Sequence, residues 1–451
     1  MKILSEASDG ILKILSKFKK QAESYRLLHY VVEQACEGGH LLFNLLTREL
    51  VLLTEEEWQS HLDNDYLKAH WFAVPENTNE KELADFVRLV LTTRQKKSKH
   101  ITGYTIFPTT DCNARCFYCF ELGRSRIPMS EETAHKVANY IHDHCGMEKV
   151  NIRWFGGEPL FNKNVIDIIC DGLREKGVEF KSSAVSNGYL FDRETVQNAV
   201  ANWNLKRVQI TLDGTEAVYN KTKAFIYKGT NPYQTVLTNI GHLLDAEVAV
   251  QIRLNMDLYN AEELLKLVDE LAERFAGRKG FRVYAHYIFE GNTPMAESHS
   301  AEEWEERERA MIRLEDRIAQ HGLAGRGGIS KNYRLNHCMA DSGRSVTILP
   351  DGNIGLCEHF SEDEFIGHIE SDTFDEAMVK SWRKIAPEIP ECAECFYYPE
   401  CIRLEKCANS RVCFAQERND RLRKTKRAMR NEYEKWKNQE RSEEPEEAVL
   451  C

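Results

Sequence analysis

Short apolar runs alternate with amphipathic stretches from residue 100 onward. The runs are rich in β-branched and aromatic residues, which favours strands, and the stretches have the apolar spacing of helices. Capping residues precede several stretches, for example Ser130 before Glu131 and Asn260 before Ala261. Strands that alternate with helices predict an α/β fold with a parallel sheet, and six such units are fewer than the eight of a closed barrel. The predicted strands are 102–108, 150–155, 180–186, 207–212, 248–254 and 281–288.

The regions on either side of this segment have different patterns. Residues 1–20 follow the pattern of an amphipathic helix and residues 41–52 that of a hairpin, so a small separate α+β domain is predicted at the start. The glycine-rich stretch 323–330 lacks periodicity and predicts a linker. From Gln416 we expect a solvated, highly charged helix and then a frayed acidic tail that includes Cys451. The predicted domains are 1–100, 101–325, 326–415 and 416–451.

Composition narrows the classes of function. The net charge of -11 argues against a general nucleic-acid binder, because phosphate binding needs a basic surface. No apolar run of about 18 residues or signal-peptide pattern occurs, so we expect a cytoplasmic protein without a membrane partner. In that reducing compartment, 14 cysteines favour metal or redox chemistry over structural disulfides.

Three of these cysteines directly follow the first predicted strand, in the motif Cys112-Asn113-Ala114-Arg115-Cys116-Phe117-Tyr118-Cys119. Thiolates are the usual ligands of iron-sulfur clusters, and three of them leave one iron of a [4Fe-4S] cube open to a small chelating molecule. Half of a zinc site is the alternative. The spacing and its place in a strand-to-helix loop resemble the radical S-adenosylmethionine (SAM) superfamily. This resemblance implies a partial (β/α)6 TIM barrel with the cluster at its C-terminal mouth.

The ends of the later strands extend the resemblance. The sequence Gly156-Gly157-Glu158-Pro159 ends the second predicted strand and is similar to the superfamily motif that contacts the amino group of SAM. Glycines permit close backbone approach and a carboxylate can pair with an ammonium, although alone the motif would indicate only a turn. A strand followed by an Asp-Gly turn explains Asp213 equally well. The further SAM contacts that the resemblance implies are Ser186, Asn187, Asp213, Arg253 and Asn255.

Seven more cysteines follow the predicted linker. Their order and spacing resemble the SPASM module of radical SAM peptide and protein maturases, which implies two auxiliary [4Fe-4S] clusters and three clusters in all. A pair of zinc ribbons is the alternative. Cys407 follows Cys401 after five residues, where the family usually has three, which puts the role of Cys407 in doubt. The resemblance implies one cluster on Cys392, Cys395, Cys401 and Cys413, and a second, with an open iron or a fourth ligand from elsewhere, on Cys338, Cys357 and Cys407.

One glutamate next to a cysteine is a further candidate for catalysis. Glu358 follows Cys357, and in similar sulfatase-maturing enzymes an acid at this place is a general base, so Glu358 is a candidate catalytic residue; a surface glutamate is the alternative. We do not assign His337 and His359 as ligands. Cys36, Cys145 and Cys170 occur in helical apolar patterns and are predicted to be core residues.

The resemblance implies a reaction and a class of substrate. Reductive cleavage of SAM gives a 5'-deoxyadenosyl radical, and that radical takes a hydrogen atom from the substrate. Auxiliary clusters of this type accompany modification of peptide side chains. The N-terminal hairpin resembles the winged-helix-like domains that recognise the leader of a ribosomally made peptide by strand addition.

We therefore expect a maturase that forms a thioether between a cysteine sulfur and a carbon of a precursor peptide. Its partners would be that precursor with its leader and an electron donor such as flavodoxin or ferredoxin. Carbon-carbon crosslinking, epimerisation and formylglycine formation on a sulfatase would use nearly the same residues. A non-catalytic iron-sulfur or zinc scaffold is the alternative of another class.

Overall fold

A nine-stranded sheet runs through the centre of the protein. Its computed structural model describes residues 1–7, 9–18, 22–94, 100–119, 121, 123–288, 299–325, 327–330, 338–358, 364–371, 373–407 and 413–443. The strands are β1 (Lys2–Ser5), β2 (Tyr25–Leu27), β3 (Val31–Cys36), β4 (Gly39–Asn44), β5 (Glu49–Leu53), β6 (Ala73–Pro75), β7 (Gly103–Thr109), β8 (Val150–Gly156), β9 (Phe180–Ser186), β10 (Leu205–Leu212), β11 (Ala249–Met256), β12 (Phe281–Tyr287), β13 (Ser345–Ile348), β14 (Asn353–Gly355) and β15 (Gly367–His368). The α-helices are α1 (Asp9–Leu15), α2 (Glu55–Gln59), α3 (Asp65–Ala69), α4 (Glu80–Arg94), α5 (Glu131–His144), α6 (Lys163–Glu175), α7 (Arg193–Ala201), α8 (Glu216–Lys223), α9 (Pro232–Asp245), α10 (Ala261–Phe275), α11 (Ala301–Gln320), α12 (Met339–Ser342), α13 (Glu376–Trp382) and α14 (Ala415–Glu443).

Six of the sheet's strands, β7 to β12, are parallel and lie side by side in chain order, with helices in the connections. They are the six strands that the apolar pattern predicts, each within two residues at either end. The predicted α/β fold with a parallel central sheet is confirmed.

The two faces of this parallel sheet differ in chemistry. Ile152 and Trp154 of β8 lie in the main hydrophobic core, which the helices share, while the intervening Arg153 is exposed on the opposite face. Successive side chains of a strand point to opposite faces, so the helices cover one face and polar side chains occupy the other, concave one. This second face provides room for a ligand.

The cysteine-rich segment is joined to the same sheet. Strand β13 pairs in parallel with β7, with Ser345 opposite Gly103 and Thr347 opposite Thr105. Strands β14 and β15 continue the sheet as antiparallel neighbours. Cys338 and Cys357, which flank β13 and β14 in the chain, are therefore held at a fixed place beside the barrel.

The N-terminal residues form a second, antiparallel sheet with the order β1-β5-β4-β3. The predicted hairpin is confirmed as β4 and β5, with Asn44 opposite Glu49. The single helix predicted over residues 1–20 is wrong, because residues 2–5 pair with β5 as strand β1 and, of the described residues in this stretch, only those of α1 are helical. Pairing with a strand about 50 residues away in the chain overrides the local helical pattern.

The three cysteines predicted as helical core residues behave differently from one another. Cys145 caps the end of α5 and Cys170 lies within α6, and both are buried as predicted. Cys36 instead ends β3 and is only half-buried, so its assignment to a helical core pattern is wrong.

The charged helix predicted from Gln416 is α14, but it is not solvated all round. Arg423 is mostly buried, with its Nε 3.1 Å from a carboxylate oxygen of Glu315 on α11. Arg427 reaches the same carboxylate at 3.4 Å. Ion pairs with α11 thus dock one face of this helix, a tertiary contact that composition alone does not reveal. Among the described residues, no helix combines the length and the apolar character needed to cross a bilayer.

A buried ion pair connects the N-terminal sheet to the cysteine-rich segment. The Arg48 guanidinium lies 2.9 Å from a carboxylate oxygen of Glu400, and each side chain is only 8% exposed. Arg48 also donates a hydrogen bond from Nε to the carbonyl oxygen of Ser330 at 2.9 Å. Removing one member of such a pair leaves an uncompensated buried charge.

We predict that Arg48→Met lowers the free energy of unfolding by about 3–5 kcal/mol, because Glu400 then stays buried without its cation. Urea unfolding followed by tryptophan fluorescence measures the change. Arg278→Met is the matched control, since its ion pair with Asp245 is solvent-exposed and should contribute less than about 1 kcal/mol. Equal effects of the two substitutions would contradict the role assigned to Arg48.

Candidate active site

The three cysteines of the CX3CX2C motif lie on the irregular loop that follows β7. The thiols of Cys112, Cys116 and Cys119 are close enough to interact electrostatically. The Ala114 N–H donates a hydrogen bond to Cys112 Sγ at 3.3 Å, and the Asn187 amide lies 3.8 Å from the same sulfur. The loop therefore gathers three sulfurs and points backbone and amide donors at one of them.

Burial raises the pKa of the Cys112 thiol to about 12, and it also raises that of Cys119. Metal ligation must displace these protons, because the thiolate is the ligand form. Among the described side chains, no three Cys, His, Asp or Glu converge on a point that would hold a single ion. A [4Fe-4S] cube places each thiolate on a different iron, and three thiols on one loop fit such a donor set.

The two glycines that end β8 allow this strand to touch the start of the cysteine loop. Gly156 has a φ of +112°, and a Cβ on it would lie 2.3 Å from the carbonyl oxygen of Thr109. A Cβ on Gly157 would lie 2.2 Å from the carbonyl oxygen of Asp111. Any larger residue would push the loop away, which explains the glycine pair in structural terms.

Glu158 is fully buried and connects the ends of β8 and β9. Its carboxylate accepts hydrogen bonds from the Ser186 hydroxyl at 2.9 Å, from the Asn187 N–H at 2.8 Å and from the Leu160 N–H at 3.2 Å. Burial raises the pKa of Glu158 to about 7, against these hydrogen bonds. Both oxygens serve the protein itself, so the contact of Glu158 with the amino group of SAM remains a prediction.

A buried lysine anchors the cysteine loop from the opposite side. Lys223 ends α8 with a side chain that is only 3% exposed, and its ammonium lies 3.0 Å from the carboxylate of fully buried Asp213. The ammonium also donates hydrogen bonds of 2.7 Å to the Tyr118 and Thr211 hydroxyls. Burial lowers the pKa of Lys223, but the Asp213 carboxylate and other neighbours raise it well above its usual value overall. The lysine is therefore charged.

The same network joins the ends of two strands to the motif. The Tyr118 hydroxyl donates to Asp213 at 2.6 Å, and the Asn255 amide donates to Asp213 at 3.1 Å and to Tyr118 at 3.2 Å. The carbonyl oxygen of Lys223 accepts the Arg115 N–H at 2.8 Å. The predicted SAM contacts Asp213 and Asn255 thus take part in holding the cysteine loop.

Arg253 lies on the concave face of β11, beside His286 of β12. An Arg253 guanidinium nitrogen is 3.2 Å from His286 Nδ1, and the buried Arg253 Nε has no hydrogen-bond partner in the described part of the chain. The protein wall around His286 and the neighbouring Arg253 guanidinium lower the pKa of this histidine, although its side chain is exposed to solvent. The Arg253 guanidinium is a donor for an anionic group such as the carboxylate of SAM.

Four of the C-terminal cysteines line one cavity. Cys392, Cys395, Cys401 and Cys413 face it together with several arginines. The Arg418 guanidinium lies 3.5 Å from Cys413 Sγ. These are the four cysteines that the resemblance assigns to one auxiliary cluster, and both arginines and glutamates line the cavity around them.

The other three C-terminal cysteines lie elsewhere. Cys338, Cys357 and Cys407 pack against the core of the barrel, whereas Cys392 and Cys395 pack against the N-terminal core. Burial raises the pKa of Cys338, and Cys407 and Glu358 contribute to the increase, so both lie near it. The structure places Cys407 beside Cys338 despite its unusual spacing. His337, His359 and Cys451 lie outside the described residues.

Sequence reasoning did not identify Lys223, and it used Tyr118 only as part of a motif. Their contact joins residues 105 positions apart, and the sequence near Lys223 shows only the end of an ordinary helix. A lysine within an apolar helical face could have raised the question, but its partners are visible only in the fold.

A family model matches part of the chain. Residues 106–271 match the model of the radical SAM superfamily. The matched residues include the cysteine loop after β7, Glu158 and the Lys223 network. A radical SAM domain implies SAM and a [4Fe-4S] cluster.

Two curated relatives differ in their reactions. The chain is 24% identical over 260 residues to the radical SAM cyclopropyl synthase TigE of Paramaledivibacter caminithermalis, covering 49% of this chain and 55% of the relative. It is also 24% identical over 305 residues to a probable GTP 3',8-cyclase of Archaeoglobus fulgidus, covering 64% and 96%. The chain thus spans about half the length of the cyclopropyl synthase.

A solved structure is similar over a larger part of the chain. Streptococcus suis SuiB, bound to precursor peptide SuiA, aligns with a TM-score of 0.51 and 15% identity, covering 84% of this chain and 94% of SuiB. At this identity the likeness establishes a shared fold.

We predict that Lys223→Met and Asp213→Asn each lower the free energy of unfolding by about 3 kcal/mol, and that the double variant loses less than the sum, because the two charges compensate each other. Denaturant unfolding of the four proteins measures the coupling. Lys149→Met, which removes an exposed ion pair with Glu179, is the control and should cost less than about 1 kcal/mol. Strict additivity of the Lys223 and Asp213 effects would refute the buried pair.

Proposed function

We propose that the protein is a radical SAM peptide maturase with two auxiliary clusters that forms a thioether in a ribosomally made precursor. The observation that carries this proposal is the division of the seven C-terminal cysteines into a group of four around one cavity and a group of three against the barrel. Two separate thiol groups beside a radical SAM domain match the cluster content of SPASM-type peptide maturases. The likeness of fold to SuiB, which is solved with a precursor peptide, supports the same class.

The residues of the cysteine loop would hold the first cluster. Cys112, Cys116 and Cys119 supply the thiolates, and the Lys223 network fixes the loop that carries them. The Arg253 guanidinium would pair with the carboxylate of SAM. When bound, SAM and the reduced cluster supply a 5'-deoxyadenosyl radical that removes a hydrogen atom from substrate carbon.

The group of three cysteines would serve the second half of the reaction. Bond formation between a cysteine sulfur and the substrate carbon requires loss of the thiol proton and of one electron. Glu358 lies near Cys338 and would accept the proton. Cys338, Cys357 and Cys407 would hold the auxiliary cluster that takes the electron, next to the barrel in which the radical forms.

Residues 1–100 would recognise the leader, 101–325 would form the barrel, 326–415 the SPASM module, and 416–451 the charged helix and tail. A flavodoxin or ferredoxin in the cytoplasm would supply the electrons. The match to a probable GTP 3',8-cyclase favours one second candidate, a radical enzyme that acts on a nucleotide.

We predict that the anaerobically reconstituted protein contains about twelve irons per chain, the content of three [4Fe-4S] clusters, and forms 5'-deoxyadenosine when it is reduced with SAM. Iron and sulfide analysis with chromatography of the nucleoside products measures both. Replacing Cys112, Cys116 and Cys119 together by Ala should remove about four irons. Zinc in place of iron, without deoxyadenosine, would refute the proposal.

A pair of single substitutions separates SAM cleavage from product formation. Cys112→Ala should abolish deoxyadenosine formation, because the SAM-binding cluster loses a ligand. Cys357→Ala should retain some deoxyadenosine formation but stop modification of the peptide, which mass spectrometry follows. Cys170→Ala, a buried thiol of α6 away from these groups, is the control for loss of a cysteine. Unchanged product in Cys357→Ala would exclude the auxiliary role, and turnover of GTP would favour the nucleotide candidate.

A further inference from the structure

The concave face of the sheet carries a cavity of about 500 Å³ that no assigned residue uses. Four adjacent strands, β7 to β10, contribute one residue each to a row across its wall. These residues are paired in register and are Thr105, Arg153, Ser183 and Arg207. Met339, which follows Cys338, and Ser345 of β13 complete one side. The cavity therefore lies at the first residues of these strands, with Met339, the residue after Cys338, at one side.

This cavity, which we name the basic cavity, is lined by four cationic side chains and by no Asp or Glu among the described residues. Arg153 lies on β8, Lys181 on β9, and Lys206 and Arg207 on β10. None of the four has an ion-pair partner in the part of the chain that the structure describes. In a chain with a net charge of -11, four neighbouring unpaired cations form an unusual local excess of positive charge.

The positive potential extends through the barrel interior. Burial raises the pKa of Tyr284 on β12, and the guanidinium groups of Arg253, Arg207 and Arg153 act against that increase. Three arginines on different strands are therefore close enough to the Tyr284 hydroxyl to act on it electrostatically. Like charges that face one space repel each other, and a bound anion relieves the repulsion.

We infer that the basic cavity binds an acidic segment of the peptide substrate, an inference that rests on the proposed function and specifies its substrate class. Neighbouring strands lie about 4.8 Å apart, so the cations on β8, β9 and β10 are spread over roughly 10 Å. Alternate side chains of an extended peptide are about 7 Å apart, which lets separate carboxylates reach separate cations. Phosphate groups instead favour convergent backbone N–H groups at a helix N-terminus, and this wall consists of strand side chains.

The position of the basic cavity fits this role. The lining residues of β7 to β10 lie in the first halves of these strands, and Met339, the residue after Cys338, borders them. An acidic segment held by Arg153 and Arg207 would enter the barrel from this end and continue along the face that also carries Arg253.

The test uses the full reconstituted protein with SAM and two fluorescein-labelled synthetic peptides, one alternating Gly and Glu and one alternating Gly and Gln. Fluorescence anisotropy should show about tenfold tighter binding of the Glu peptide, because charged groups make stronger hydrogen bonds than neutral ones. The variant Arg153→Gln/Arg207→Gln should lose about tenfold in affinity for the Glu peptide and little for the Gln peptide. The Lys/Lys variant at the same positions keeps the charge and should retain most of the affinity.

Lys266→Gln/Arg274→Gln on the exposed face of α10 removes the same charge far from the cavity and is the matched control. It should bind the Glu peptide as the wild type does. A loss equal to that of the cavity variant would mean that only net charge matters and would overturn the inference. Equal affinity of the wild type for both peptides would overturn it as well.

Two further outcomes separate this inference from the proposed function. If neutral peptides are modified while the Glu peptide does not bind, the maturase proposal stands and the acidic substrate class is wrong. If GTP competes for the basic cavity and is turned over while no peptide is modified, both are wrong and the nucleotide candidate is favoured.

Discussion

The ion pair between Lys223 and Asp213 is the contact on which the candidate active site depends. The three thiols lie on a loop without a helix or a strand, so only contacts with neighbouring elements can fix them. Lys223 provides these contacts from the end of α8, through Asp213 at the end of β10 and Tyr118 within the motif. A buried charge is costly unless it is paired and hydrogen-bonded, and here each partner satisfies the other. Glu158 does the same on the other side of the loop, through Ser186 and Asn187.

Side chains alternate along the strands of the parallel sheet, so one face forms the hydrophobic core and the other carries polar residues that can bind a ligand. One face is apolar and packs against helices, as Ile152 and Trp154 do, while Arg153 between them faces the concave side. Since β13 pairs with β7, Cys338 and Cys357 share this framework, whereas Cys392 and Cys395 pack against the N-terminal core.

The parts of the fold that local pattern determines were predictable, and those that distant contacts determine were not. Apolar periodicity locates all six parallel strands, and the cysteine motif locates the loop after β7. Strand β1 was missed because its partner, β5, lies about 50 residues away. The sequence did not predict the two buried ion pairs, Lys223 with Asp213 and Arg48 with Glu400. A charged residue in a helix or turn is expected to be exposed to solvent unless its partner is known.

The continuous apolar run of residues 41–53 also has a physical reason. In β4 and β5, Leu41 and Leu52 pack into the core that α1, α4 and α14 share, while Leu42 and Val51 pack into a second core with Leu67 of α3. A strand buried on both faces does not alternate, which is why this hairpin reads as one hydrophobic stretch. Both faces of this sheet are occupied, so face-on docking of a peptide would require the cores to separate. The leader recognition proposed above would therefore have to use an edge strand, β1 or β3, and α14 already contacts both of them.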